Sequence, residues 1–162
     1  MSNIFESTRE ELLEKGYGLE RYDISRPWGG FFVIDESNTE QFIKEYFPEF
    51  EVDELTKNKK VSPKILIVEP KKRLSWQYHY RRSEVWRVIE GTVGIVRSDN
   101  DIEGDIETYE EGDVITLQQG ERHRLVGLND WGKVAEIWQH TDPENPSDED
   151  DIVRLQDDFK RR

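Results

Sequence analysis

The chain has 162 residues, with 36 acidic against 23 basic side chains, a formal net charge of -13, 34% hydrophobic and 36% charged residues. That balance repels phosphate backbones, so no nucleic-acid partner is expected, and the absence of cysteine excludes disulfides and thiolate metal ligands. No apolar stretch approaches ~20 residues, so no membrane span or signal peptide is expected and the cytoplasm is the predicted location.

The length suits one domain over residues 1–162, its scarce aliphatic core supplemented by five Trp, six Tyr and seven Phe. In chain order, Ser7–Lys15 reads as a short N-terminal helix, with Ser7 and Glu10 as a capping box and Gly16 as the stop. Arg26-Pro-Trp-Gly-Gly30 turns into a strand at Phe31–Ile34. A small helical insertion is predicted over residues 37–62. There Asn38 or Thr39 caps a helix through Tyr46, with Phe42, Ile43, Tyr46 and Phe47 on one side, and a weak helical turn starts at Asp53. Strands are predicted at Lys64–Glu69, Leu74–His79, Glu84–Ile89, Thr92–Ser98, Ile106–Tyr109, Asp113–Leu117, His123–Gly127 and Val134–Gln139. Short strands punctuated by Gly and Asp predict an all-β barrel or sandwich. Residues 142–151 read as a polar loop within a tail, 142–162, that packs on the barrel, and His140 reads as a surface or loop histidine.

Side chains two apart on a strand share a face, so Gln77 and His79 point the same way and Trp76 and Tyr78 the other. A turn over Tyr80–Ser83 then brings Glu84 onto the next strand, and Gly120 turns the chain into His123. Two imidazoles, a carboxylate and an amide on adjacent strands are the donors that hold a catalytic divalent ion with an open position. Gln77, His79, Glu84 and His123 are therefore the candidate metal ligands. Zn ranks first for such mixed donors, and Mn, Fe, Co and Ni also suit them.

These spacings resemble the cupin family, whose fold is a double-stranded β-helix or jelly-roll barrel. Gln77-Tyr-His79, Glu84 and Gly91 match its first motif with Gln in the first His place, and Gly112 to His123 match its second with Gln118 for Pro. Arg26-Pro-Trp-Gly29, Arg73-Leu-Ser-Trp-Gln-Tyr-His79, Glu121-Arg-His-Arg-Leu125 and the tail from Glu149 to Arg161 resemble, in the same order, the type II mannose-6-phosphate isomerase cupin. That is the C-terminal half of bifunctional isomerase/mannose-1-phosphate guanylyltransferase enzymes. The resemblance covers residues 25–161 and implies a metal-dependent aldose–ketose isomerase of a sugar phosphate. It also implies an activity role for Arg154 in the tail and a phosphate contact at Lys64. A homodimer is open, since cupins often dimerise. No nucleotidyltransferase domain is expected, and no Gly-rich phosphate loop occurs.

Arg73, Arg81, Arg82, Arg87, Arg122 and Arg124 lie in or beside the motifs, while acid concentrates elsewhere, which suits an anionic ligand despite the net charge. Arg81, Arg122 and Arg154 are candidate clamps on the phosphate. The base for proton transfer is expected to be a hydroxide on the metal or Glu136. Relatives commonly carry three consecutive histidines where this chain reads His79-Tyr80-Arg81, which leaves open another sugar phosphate, such as a heptose phosphate. A non-catalytic metal- or sugar-binding cupin is the competing reading. An oxygenase is disfavoured by Gln77.

Overall fold

The computed structural model describes residues 4–56, 61–142, 144–148 and 150–160. Residues 57–60 of the predicted insertion, and 143, 149, 161 and 162 of the tail, lie outside that set. Three short helices, α1 (Ile4–Glu14), α2 (Thr39–Tyr46) and α3 (Val52–Thr56), accompany two antiparallel sheets. The first sheet runs β1 (Leu19–Arg26), β2 (Gly29–Ile34), β3 (Val61–Val68), then β10 (Gly132–His140), β5 (Arg82–Glu90) and β8 (Val114–Leu117). The second runs β11 (Val153–Gln156), β4 (Trp76–Tyr78), β9 (Arg122–Gly127), β6 (Val93–Ser98) and β7 (Glu107–Tyr109).

Strand parity divides the interior into two cores. Leu66 and Val68 of β3, Trp86 and Val88 of β5 and Val134 of β10 pack with Ile95 and Leu125 of the second sheet, between the sheets. Their alternate neighbours Ile65, Ile67, Val85, Ala135 and Ile137 turn outward and are covered by Leu12 of α1 and by Phe42, Ile43 and Phe47 of the insertion. Both faces of the first sheet are therefore covered at its centre, which is why β10 is buried at every position, its Lys133, Glu136, Gln139 and His140 included. Burying those outer aliphatics removes roughly 1.5–3 kcal/mol of exposure cost per side chain. The insertion is thus part of the core rather than a surface ornament.

Several sequence expectations need correcting. Helix α1 begins by Ile4, so Ser7 lies inside it, donating its hydroxyl to Ile4 O at 3.2 Å instead of capping. Asn38 precedes α2 without a capping bond; its Oδ1 accepts from the Gly18 amide at 2.9 Å, tying the insertion to the start of β1. Strand β1, an edge strand, was not expected at all. Strand β5 begins at Arg82, inside the predicted turn. His140 is 2% exposed, not a surface residue: its Nε2 lies 2.9 Å from Ser62 Oγ and its Nδ1 accepts from the Ser147 amide at 2.8 Å.

Candidate metal centre and cavity

Two cross-strand rows, one from each sheet, build the site. In the first sheet Glu136 pairs with Lys64 on one side and Trp86 on the other, and the next inward rung sets Trp138 beside Glu84. In the second sheet Gln77 pairs with Arg154 on one side and His123 on the other. Residues far apart in sequence thus become neighbours because the register of β11-β4-β9 and β3-β10-β5 places them opposite one another.

The rows meet at Glu84. Its Oε2 is 3.2 Å from His79 Nε2 and 3.9 Å from His123 Nε2. The donor atoms of these three buried residues all lie within 4.8 Å of one another. Each imidazole is anchored from behind. His79 Nδ1 is 2.7 Å from Asp151 O and His123 Nδ1 is 3.1 Å from Glu121 O. A carbonyl only accepts, so both Nδ1 atoms carry a hydrogen and, in the neutral ring, Nε2 presents a lone pair to the site. His123 Nε2 is buried with no hydrogen-bond partner. A buried acceptor left open beside a second imidazole nitrogen and a carboxylate fits a divalent cation, with two N and one O donors of the kind Zn and its neighbours accept. Gln77 reaches the same corner, its Nε2 3.4 Å from His79 Nε2, while its Oε1 accepts from Ser75 at 2.5 Å. Rotation of the amide would exchange the two atoms.

The electrostatics separate the two carboxyls. Burial alone would raise Glu84, but Arg82, His79 and His123 outweigh it and hold Glu84 well below the usual carboxylate range. Burial and the adjacent Glu84 push Glu136 well above that range. Trp86 Nε1 bridges them, 2.9 Å from Glu84 Oε1 and 2.8 Å from Glu136 Oε2, and Trp138 Nε1 donates to Glu136 Oε1 at 2.8 Å. Burial, more than any charge, lowers His123 to about 4, so its ring is neutral and its lone pair available at neutral pH.

A cavity of about 450 Å³ opens from this corner, lined among others by Arg26, Lys64, Arg82, Glu84, Glu136 and Arg154. Lys64 Nζ sits 4.5 Å from the ring centroids of both Phe31 and Trp138. Gln77, Lys64, Glu136 and Arg154 thus come together around the cavity. The expected Arg81 and Arg122 do not line it: Arg81 donates to Asn145 Oδ1 at 2.8 Å and Pro146 O at 2.9 Å, and Arg122 to Asp101 Oδ1 at 2.8 Å and Gly120 O at 2.7 Å. Arg26 and Arg82 line it instead. Arg82 had a readable signal, since it stands two before Glu84 and shares its face once β5 is extended. Asp151 is a further participant, accepting the Tyr80 and Arg81 amides at 2.9 Å and the Ser147 hydroxyl at 2.6 Å while its carbonyl fixes His79.

A family model described as mannose-6-phosphate isomerase C-terminal matches residues 35–157. The mannose-1-phosphate guanylyltransferase of Escherichia coli (strain K12) is 29% identical over 139 residues, covering 86% of this chain and 23% of that protein. The enzyme of the same name from Salmonella montevideo is 28% identical over 139 residues, with the same 86% and 23% coverage. The chain therefore spans less than a quarter of the length of these curated relatives. Among solved structures, vicilin from Solanum lycopersicum (tomato) superposes with a TM-score of 0.54 at 21% identity, covering 78% of this chain and 33% of that one, a likeness of fold alone. By its motifs, its two-sheet barrel and the span of the family match, the chain is a cupin that belongs to the mannose-6-phosphate isomerase C-terminal family.

Proposed function

We propose that this chain is a metal-dependent aldose–ketose isomerase of a sugar phosphate, with mannose 6-phosphate the first substrate to test. The observation that carries the reading is one cavity lined by Glu84 of the His–Glu–His corner, by a second carboxyl of opposite protonation tendency, Glu136, and by the cations Arg26, Lys64 and Arg154. His79, Glu84 and His123 would hold the ion, with Gln77 beside them, and the ion would supply Lewis-acid polarisation of adjacent carbonyl and hydroxyl oxygens.

Aldose–ketose exchange takes a proton from C2 and returns one to C1 through a cis-enediol, so it needs no external oxidant or reductant. Glu136, whose pKa burial and the adjacent Glu84 push up, suits the oxygen side of that exchange, donating to O1 and accepting from O2. Its two indole partners leave the carboxyl little freedom to turn. Lys64, Arg26 and Arg154 suit the phosphate, Arg by its fork geometry and Lys as a point charge.

Elemental analysis paired with an assay of mannose 6-phosphate conversion to fructose 6-phosphate tests this. Wild type should hold about one divalent ion per chain and turn over, and His79→Ala should lose both. Metal without turnover would redirect the search to other sugar phosphates, such as a heptose phosphate. Absence of both metal and turnover would sink the isomerase reading.

A further inference from the structure

Arg82 is a buried cation among the very atoms that a metal would need. It is 6% exposed. Its Nε donates to Glu84 Oε2 at 2.9 Å, and one terminal nitrogen donates to His79 Nε2 at 3.1 Å. The other terminal nitrogen is engaged behind, with Ser147 Oγ at 3.0 Å and Asp148 O at 3.2 Å, and the guanidinium carbon lies 3.5 Å from the centroid of the Trp138 ring. Glu84 Oε2 is also the oxygen nearest both imidazole nitrogens.

The conflict is stoichiometric. Because His79 Nδ1–H donates to Asp151 O, Nε2 of the neutral ring has a single lone pair. That pair can accept from Arg82 or be given to a metal ion, not both. A guanidinium left beside a divalent cation would also repel it. Without any cation, however, Glu84 would be a buried, unpaired carboxylate, which is costly. The side chain has what such a place requires: one bond, to His79 Nε2, that a metal must break, one to a Glu84 oxygen it would compete for, and two anchors on the 147–148 loop that it need not break.

We propose that Arg82 is the positioning residue of the metal centre: it holds Glu84 and His79 in register through the lone pairs that a divalent ion takes over by displacing it. The inference rests on reading His79, Glu84 and His123 as metal ligands. It predicts that Arg82 lowers metal affinity while stabilising the metal-free protein, a combination that a purely structural arginine would not produce.

The test compares wild type, Arg82→Met and Arg82→Lys, each stripped with chelator and then titrated with Zn²⁺ against a chromophoric competitor at one pH, with melting temperatures of both forms. Arg82→Met should bind Zn²⁺ roughly tenfold or more tighter than wild type, the scale of one charge-assisted hydrogen bond. Its metal-free form should melt lower, so the rise in melting temperature on adding Zn²⁺ should exceed that of wild type. Arg82→Lys, which keeps the charge but not the fork, should fall between. Equal or weaker Zn²⁺ binding in Arg82→Met, with both forms destabilised alike, would overturn the proposal. Should Arg82→Met not fold, Arg82→Lys decides: tighter Zn²⁺ binding supports it and unchanged or weaker binding overturns it. If wild type itself takes up no Zn²⁺, the metal reading fails, and Arg82 is then an anchor of the 147–148 loop.

Discussion

Trp86 donates one indole N–H toward two carboxyls, and that sharing is what lets Glu84 and Glu136 stand so close with opposite protonation tendencies. Glu84 is drawn down by three cationic or ionisable neighbours, whereas Glu136 has burial and Glu84 against it. Glu136→Gln puts an amide where both indoles donate, so one acceptor is lost from a buried pair. Stability should fall by roughly 1–3 kcal/mol in urea denaturation. Turnover should fall by about 10²–10⁴, because an amide cannot exchange the proton. Activity within a few-fold of wild type, at unchanged metal content, would remove Glu136 from the chemistry. At this scale the clustering of the candidate donors was readable because period-two alternation and Gly-marked turns fix which way Gln77, His79 and Glu84 point. The anion contacts were less readable. Arg81 and Arg122 are as close in sequence to the ligands as Arg82, but they face the tail loop and the Asp101 segment, and proximity along a strand says nothing of which neighbouring loop receives the side chain.

The tail strand β11 carries Arg154 into the cavity wall, yet it meets the rest of the sheet only along β4, so side-chain ties must help hold it. Arg73 supplies one, with Nε and a terminal nitrogen on the two oxygens of Asp158 at 2.7 and 2.9 Å. Fully buried Arg124 supplies another, donating to Leu74 O at 2.8 Å and Gln156 O at 3.1 Å. The Arg73 guanidinium lowers Asp158 from 3.8 to about 2. Because the folded value is the depressed one, the pair's contribution is present above about 4 and is lost as pH falls toward about 2. Both partners are more than a third exposed, so the effect on global stability is modest and screened by salt. Asp158→Asn should therefore be less stable than wild type at pH 7, with the gap in urea midpoint closing as the pH approaches 2.5. A gap that stays constant with pH would contradict this pairing. The hairpin opposite depends on backbone instead: Gly29 has φ +144°, and a Cβ there would lie 2.0 Å from Ile67 O. Gly29→Ala should cost roughly 1–3 kcal/mol through the backbone alone and displace Arg26 and Trp28 from the cavity, visible as a lower melting temperature. The apolar run Ile65–Val68 of β3 announced a strand with two buried faces, and the alternating Val, Trp and Ile of β5 and β10 announced theirs. β1 did not, because an edge strand with Glu20, Arg21 and Tyr22 facing solvent in succession shows no alternation to read.

The whole molecule is two sheets closed over one core, and the candidate metal corner draws from both. Glu84 comes from β5 of the first sheet, His123 from β9 of the second, and His79 from the chain that leaves β4 of the second. A cation bound there would tie the sheets together at one end of the barrel, where the polar cavity replaces hydrophobic packing. The opposite end is held by apolar contacts such as Val68, Val93 and Val134 and needs no such tie. The fold class was legible because the strands, the ligand spacing and the tail motif agree. The closure itself was not, because which strand of one sheet faces which of the other depends on pairings such as Gln77 with His123 that no local pattern specifies. If the corner binds metal, stability must depend on it by mass action. With free Zn²⁺ at a hundred times its dissociation constant, the folded state gains about 2.7 kcal/mol. For a chain of this size that corresponds to a rise in melting temperature of roughly 5–11 °C. Chelator treatment of the wild type should reverse it while leaving one cooperative transition, since Arg82 still compensates Glu84. His123→Ala should melt at the same temperature with and without Zn²⁺. A Zn²⁺-dependent shift that survives in His123→Ala would place the ion elsewhere, whereas no shift in the wild type would mean that the corner is held together by Arg82 alone.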